Sequence, residues 1–146
     1  MAERYDVLHV IRPAAGGMKN HLRALAAGMA GKGLRVLVAG PESLVDAFRR
    51  DGFAVRPVWI EPGYAVGRHL AAGWRLARLA RRCGVAVVHA HGAAAALAAC
   101  PAARAAGVPA VVVTAHGSLR DGASLWRWAG VTAQRGVFQP ADRVIA

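Results

Sequence analysis

Six short apolar runs set the limits on what this chain can fold into: VLHVI (7–11), LRVLVA (34–39), FAVRPVW (53–59), VAVVHA (85–90), AVVVTA (110–115) and RVIA (143–146). They are rich in β-branched residues and mostly continuous rather than alternating, as expected of strands buried on both faces. Stretches of about 10–16 residues with helical spacing lie between them, the rhythm of βαβ units around a parallel sheet. The expected fold is therefore α/β: a doubly wound, mostly parallel, Rossmann-like sheet in one three-layer domain spanning residues 1–146, with six strands and five helices. A length of 146 residues fits one core.

Helix ends are marked by glycine. A first helix over about Met18–Ala30 carries Met18, Leu22, Leu25, Ala26 and Met29 on one stripe and ends at Gly31 and Gly33. A second covers about Glu42–Arg50 and stops at Gly52, and a fourth covers about Ala93–Ala106 and stops at Gly107 before Pro109. In the usual doubly wound order the first strand lies beside the fourth, with the fifth next. The loops Pro13–Gly17, His91–Gly92 and His116–Gly117 then converge at the carboxyl ends of the strands, where such sheets bind ligands.

Composition removes several classes. With 55% hydrophobic and 18% charged residues the chain is not a disordered segment. Cys83 and Cys100 form no CxxC pair, so neither a disulfide framework nor a zinc site is expected, and buried thiols in a reducing, cytoplasmic compartment are. No charged segment followed by an apolar one opens the chain as a secretion signal would. Residues 84–103 carry no formal charge, but two histidines, Gly92 and Pro101 interrupt them, so a strand turning into an alanine-rich helix is expected instead of a membrane span.

The segment RPAAGGMKNH (12–21) closes the first strand. Gly16 and Gly17 let a ligand approach the backbone at the start of a helix whose free N–H groups and dipole favour phosphate, and Lys19 adds a full charge. A tight strand-to-helix turn without a ligand explains the same glycines. No GxGxxG follows the first strand and no GxxxxGK[ST] occurs, which argues against a dinucleotide fingerprint and a P-loop. His89 and His91 point to one face of their strand, and a structural role satisfied by a backbone carbonyl is expected for His89. His91 and His116 end strands and precede glycine, a position that favours function; no HExxH or Cys/His spacing suggests a metal.

VLHVIRPAAGGMKNHLRALAAGMAGKGLRVLVAG, then VAVVHAHGAAAALAACPAARAAGVPAVVVTAHG, then ADRVIA together resemble the amino-terminal half of family 4, GT-B-fold, retaining glycosyltransferases, over nearly the whole chain. The resemblance implies that Gly16 and Gly17 approach the donor diphosphate and the acceptor. It implies further that His116 faces the transferred sugar as the catalytic histidine, with Gly117 beside it, and that His91 and Gly92 line the acceptor side. His21 resembles a frequent family histidine, although its place near Leu25 also suits packing. The implied partners are a nucleotide-diphosphate sugar as co-substrate, with no further cofactor, a sugar or lipid-linked acceptor, and a carboxyl-terminal GT-B domain. That second domain would hold the nucleotide and a pair of glutamates seven residues apart inside. The chain has only Glu3, Glu42 and Glu61, none at that spacing. The expectation is an amino-terminal domain, cut from a longer enzyme or made separately, that does not transfer sugar alone. The alternative is a non-catalytic doubly wound module that binds a phosphorylated small molecule, alone or completed by a partner chain. Acceptor choice would depend on the loops Pro62–Gly67 and Ser118–Ser124.

The net charge of +11 is uneven, since no acidic residue occurs between Glu61 and Asp121 while Arg68, Arg75, Arg78, Arg81, Arg82, Arg104 and Arg120 do. On a helical wheel Arg68, Arg75, Arg78 and Arg82 share a face opposite Ala72, Leu76, Leu79 and Cys83, with Leu70 and Trp74 on the outer side. This is either a solvated basic helix or, through Arg75, Arg78, Arg81, Arg82 and Trp74, a patch for an anionic membrane surface on the inner face. Nucleic acid is not an expected partner, because no recognised binding motif accompanies the charge.

Overall fold

The computed structural model describes residues 3–14, 16–61, 66–116 and 139–145. Within them lie β1 (Val7–Ile11), α1 (Gly17–Gly31), β2 (Val36–Gly40), α2 (Glu42–Arg50), β3 (Ala54–Pro57), α3 (Val66–Cys83), β4 (Val87–His91), α4 (Ala93–Ala106), β5 (Ala110–Thr114) and β6 (Arg143–Ile145). The sheet order is β3-β2-β1-β4-β5-β6, and every pairing is parallel. The expected α/β, Rossmann-like fold is thus present, with β1 beside β4 and β5 next. A fifth helix between β5 and β6 would fall on residues 117–138, outside the described residues.

All four described helices end in the same way. Gly33, Gly52, Gly84 and Gly107 adopt positive φ, between 56° and 87°. The next residue, Leu34, Phe53, Val85 or Val108, returns its N–H to Met29, Phe48, Ala80 or Ala103 respectively. This is a Schellman closure, in which the left-handed residue is cheapest as glycine and the following apolar side chain covers the helix end. It also explains why β2 and β4 start later than the apolar runs suggest: Leu34 and Val85 lend their N–H groups to the helix, not to the ladder.

The sheet separates two apolar layers. Leu8, Val10, Leu37, Ala39, Val88, Ala90, Val111 and Val113 pack with α3 and α4, while Ile11, Val36, Val38 and Val55 pack with Met18, Leu22 and Ala26 of α1 and Leu44, Val45 and Phe48 of α2. Strand alternation divides them. Two glycines set close approaches: a Cβ on Gly40 would lie 2.8 Å from the Ile11 carbonyl oxygen, and one on Gly73 of α3 would lie 3.3 Å from that of Ala98 on α4. Cys83 and Cys100 are buried free thiols. Among the described residues, no helix is long and apolar enough to cross a membrane.

Candidate functional site

The carboxyl ends of β1, β4 and β5 meet as the topology requires. After β1 the chain passes Arg12 and Pro13 to Gly16, which takes φ 66° and starts α1 with no side-chain cap and no acidic residue in the first turn. The opening N–H groups of that helix therefore have no intrahelical acceptor. Lys19, half-buried, stands in the same turn. Gly92, at φ 86°, donates its N–H to the Thr114 carbonyl (2.8 Å), tying the loop after β4 to β5. A Cβ there would lie 3.4 Å from Met18 Cε and 3.8 Å from Arg12 Nε, so the loops after β1 and β4 are in contact.

Five histidines gather under these loops. Strand register puts His9 beside His89 and Ile11 beside His91, and His91 in turn beside Thr114. His9, His89 and His91 are buried. His9 Nδ1 lies 3.0 Å from His91 Nε2, and His91 Nδ1 lies 3.4 Å from His116 Nε2. His89 Nε2 pairs with the Thr114 hydroxyl at 2.8 Å, not with the backbone carbonyl that its sequence position suggests, because the ring points sideways along the sheet to the next strand. His21, exposed on α1, meets the His116 ring edge-on at 5.2 Å and lies 6.2 Å from His91. It joins the cluster rather than only packing beside Leu25.

One orphaned atom sets the direction of this ladder. Among the described residues His9 Nε2 is buried with no hydrogen-bond partner. A buried N–H without an acceptor is rare and costly, so the His9 proton belongs on Nδ1, donating to His91 Nε2. His91 then carries its proton on Nδ1 and donates to His116 Nε2. His116 is left with Nδ1–H as its free donor at the mouth of the cluster. Neutral rings are required, and burial enforces them: it lowers His9 to about 3, with the charges of His89 and His21 adding to the effect, and lowers His89 to about 4, with His21 and His116 adding. His91 is pushed further down, again first by burial and then by its histidine neighbours. His116 is lowered by partial burial, then by His21 and Arg12.

The fold also gathers what sequence spacing did not suggest for a metal. Two trios, His9 with His89 and His91, and His21 with His91 and His116, bring one ligand atom each to within 4.8 Å of one another. Neutral imidazoles suit zinc-like ions. Ligation through His91 Nδ1 would move its proton to Nε2, reverse the ladder and strand an N–H on His9, so the ladder and an ion at that atom oppose each other.

Of the residues singled out in the sequence, Gly16, Gly17, Lys19, His21, His91, Gly92 and His116 lie on these converging elements. Gly117 lies outside the described residues, as do residues 62–65 and 118–124 of the two loops expected to choose the acceptor. Sequence reasoning missed His9 and Arg12. The signal for His9 was available, a polar residue in the middle of a fully buried strand. The basic patch is separate: Arg75, Arg78, Arg82 and Trp74 are exposed on α3, with the Arg78 guanidinium 4.6 Å over the Trp74 ring. Arg81 departs from the patch and donates to the Ala105 carbonyl of α4.

Comparison with known proteins bears on the fold and the family. No curated protein matches the sequence. Among solved structures, Anabaena Alr3699/HepE in complex with UDP and glucose aligns with a TM-score of 0.73 at 15% identity, over 98% of this chain and 38% of that one. Acinetobacter baumannii MurG aligns with a TM-score of 0.69 at 15% identity, over 95% of this chain and 40% of that one. A glycosyltransferase from Rickettsia africae gives 0.66 at 17% identity, over 86% and 33%. The chain thus spans between a third and two fifths of the length of these proteins, and the likeness shows the GT-B type of Rossmann-like fold. The sequence profile of Glycosyltransferase Family 4 matches residues 15–146, and the chain belongs to that family.

Proposed function

We propose that this chain is the amino-terminal, acceptor-side domain of a retaining glycosyltransferase that moves a sugar from a nucleotide diphosphate to an acceptor. The observation that carries this is the meeting of three strand-end loops over the histidine ladder, on a chain of this family. Each part has a role that its chemistry suits. The open N–H groups of α1, behind Gly16 and Gly17, and the Lys19 ammonium receive the donor's diphosphate. His116 offers Nδ1–H to an oxygen of the transferred sugar, and His91 and Gly92 shape the acceptor side. A carboxyl-terminal GT-B domain holds the nucleotide. UDP-glucose is the first donor to try, since HepE binds UDP and glucose.

The exposed α3 face, with Arg75, Arg78, Arg82 and Trp74, would rest against an anionic membrane from the cytoplasmic side, which suits a lipid-linked acceptor. Arg81, turned to α4, contributes only its long-range charge. A second reading keeps one observation, the uncapped start of α1, and makes the chain a non-catalytic module for a phosphorylated small molecule. Turnover separates the two. The chain is incubated with nucleotide sugars and acceptors, alone and with a donor-binding GT-B half. Transfer only in the combined sample is expected, because positioning two substrates supplies about 7–11 kcal/mol of the barrier. Transfer by the chain alone would overturn the two-domain account, and none in either sample, with diphosphate binding intact, would leave the binding module.

A further inference from the structure

Arginine and carboxylate are distributed over this molecule in two ways. Over most of the surface they are matched: Arg23 with Asp51, Arg35 with Asp6, Arg49 with Glu42 and Asp46, Arg68 with Glu61, and Arg104 with Asp142. Glu3, the remaining described carboxylate, accepts the Tyr5 hydroxyl. Every described carboxylate is therefore engaged. Between edge strand β3 and α3, by contrast, a groove of about 330 Å³ is lined by Arg56, Arg75, Arg78 and Arg82 with Pro57, Val58, Trp74 and Leu79, and by no acidic residue. None of these four arginines has an ion pair among the described residues.

Two of them are held in place. Arg56 donates one N–H to the Val55 carbonyl at 2.8 Å, leaving the rest of its fork free, and Arg78 is fixed by its stacking on Trp74. Four guanidiniums in one concavity repel one another unless an anion joins them, and a guanidinium fork matches the oxygens of a phosphate two at a time. A single carboxylate would leave most of this charge unmatched. We propose that the β3–α3 groove is a binding site for a phosphate-dense anion of the diphosphate class, distinct from the loop at Gly16–Gly17. Its identity does not depend on the transfer reaction proposed above. The anion comes from a soluble phosphorylated molecule or from a lipid headgroup.

The test is calorimetric titration of the chain with inorganic pyrophosphate, alongside sedimentation with phosphatidylglycerol and phosphatidylcholine vesicles. Arg56→Gln, which lies off the outer face of α3, is compared with Arg81→Gln, which removes the same charge outside the groove; Lys19→Gln reports on the other phosphate seat. Thermal melts confirm that each variant folds. Saturable pyrophosphate binding that weakens about tenfold in Arg56→Gln and less than about twofold in Arg81→Gln is expected, and the same Arg56 dependence is expected in the Lys19→Gln background, where the other phosphate seat is weakened, since charged hydrogen bonds of this kind are worth at least that factor. Vesicle binding that also depends on Arg56 assigns the headgroup as the source; vesicle binding indifferent to Arg56, with pyrophosphate still bound there, assigns a soluble ligand. Equal losses in Arg56→Gln and Arg81→Gln, or no saturation, would show only diffuse charge and overturn the site.

Discussion

The two faces of the sheet are built on opposite principles. Toward α3 and α4 the strands present only apolar side chains, and the helices answer with alanine, so that Gly73 meets Ala98 almost backbone to backbone. Toward α1 the centre of the sheet presents His9, His89, His91 and Thr114, all buried. The first face gains stability from area and close packing. The second gives up that gain to hold polar rings in fixed protonation states. The difference marks the histidine face as the candidate site: its buried rings forgo apolar packing, and His9 Nε2 is left without a hydrogen-bond partner among the described residues.

Acid should break the comparison most severely. Burial depresses His9, His89 and His91 below their unfolded value of 6.5. The folded state therefore binds fewer protons, and stability present above pH 6.5 is lost as pH falls toward the folded values. Each neutral ring costs about 2 kcal/mol by pH 5, or about 6 kcal/mol between them. Urea midpoints at pH 7, 6 and 5 would show this, with His9→Leu flattening the slope; a flat profile in the parent chain would mean that the rings are solvated. Next comes His116→Ala, expected to lower turnover about 10²–10³-fold in the two-domain enzyme proposed above while shifting Tm by only a few degrees, as removal of a positioned hydrogen-bond donor does. Unchanged turnover would remove His116 from the chemistry.

On the apolar face, Leu76→Ala should cost about 2–5 kcal/mol by leaving a cavity, with the acid slope intact, since Leu76 is only 2% exposed and belongs to the other layer. A changed slope would mean that the two faces are coupled. The smallest effect belongs to Gly73→Ala. Helix propensity gains about 1 kcal/mol, and the contact at 3.3 Å from Ala98 O opposes it, so the urea midpoint should move by no more than about 1 kcal/mol. A loss above about 2 kcal/mol would show that α3 and α4 cannot separate at all.

Much of the fold was legible because it rests on local signals. Continuous β-branched runs gave the strands, and Gly33, Gly52 and Gly107 gave helix stops that the Schellman closures explain. The boundaries of α2 and α4 agree with the sequence to the residue. The strand starts at Leu34 and Val85 were misplaced because a residue's N–H partner is invisible in composition. Sequence position marked His91 and His116 as strand-end residues. The strand-end rule passed over His9, a polar residue inside a buried strand, because its partners are set by the fold: parallel register with His89, and His91 across 82 positions of chain. The arginine groove was half legible: helical spacing placed Arg75, Arg78 and Arg82 together, but Arg56 enters from another strand and Arg81 leaves for α4.

The central claim is that the histidine face is neutral and ordered so that His116 presents Nδ1–H to the crevice. Long-range ¹H–¹⁵N correlation spectra of the histidine side chains at pH 7 read each tautomer directly. The account predicts neutral rings with the proton on Nδ1 at His9, His91 and His116. An imidazolium at any of the three, or a proton on Nε2 of His116, would contradict it.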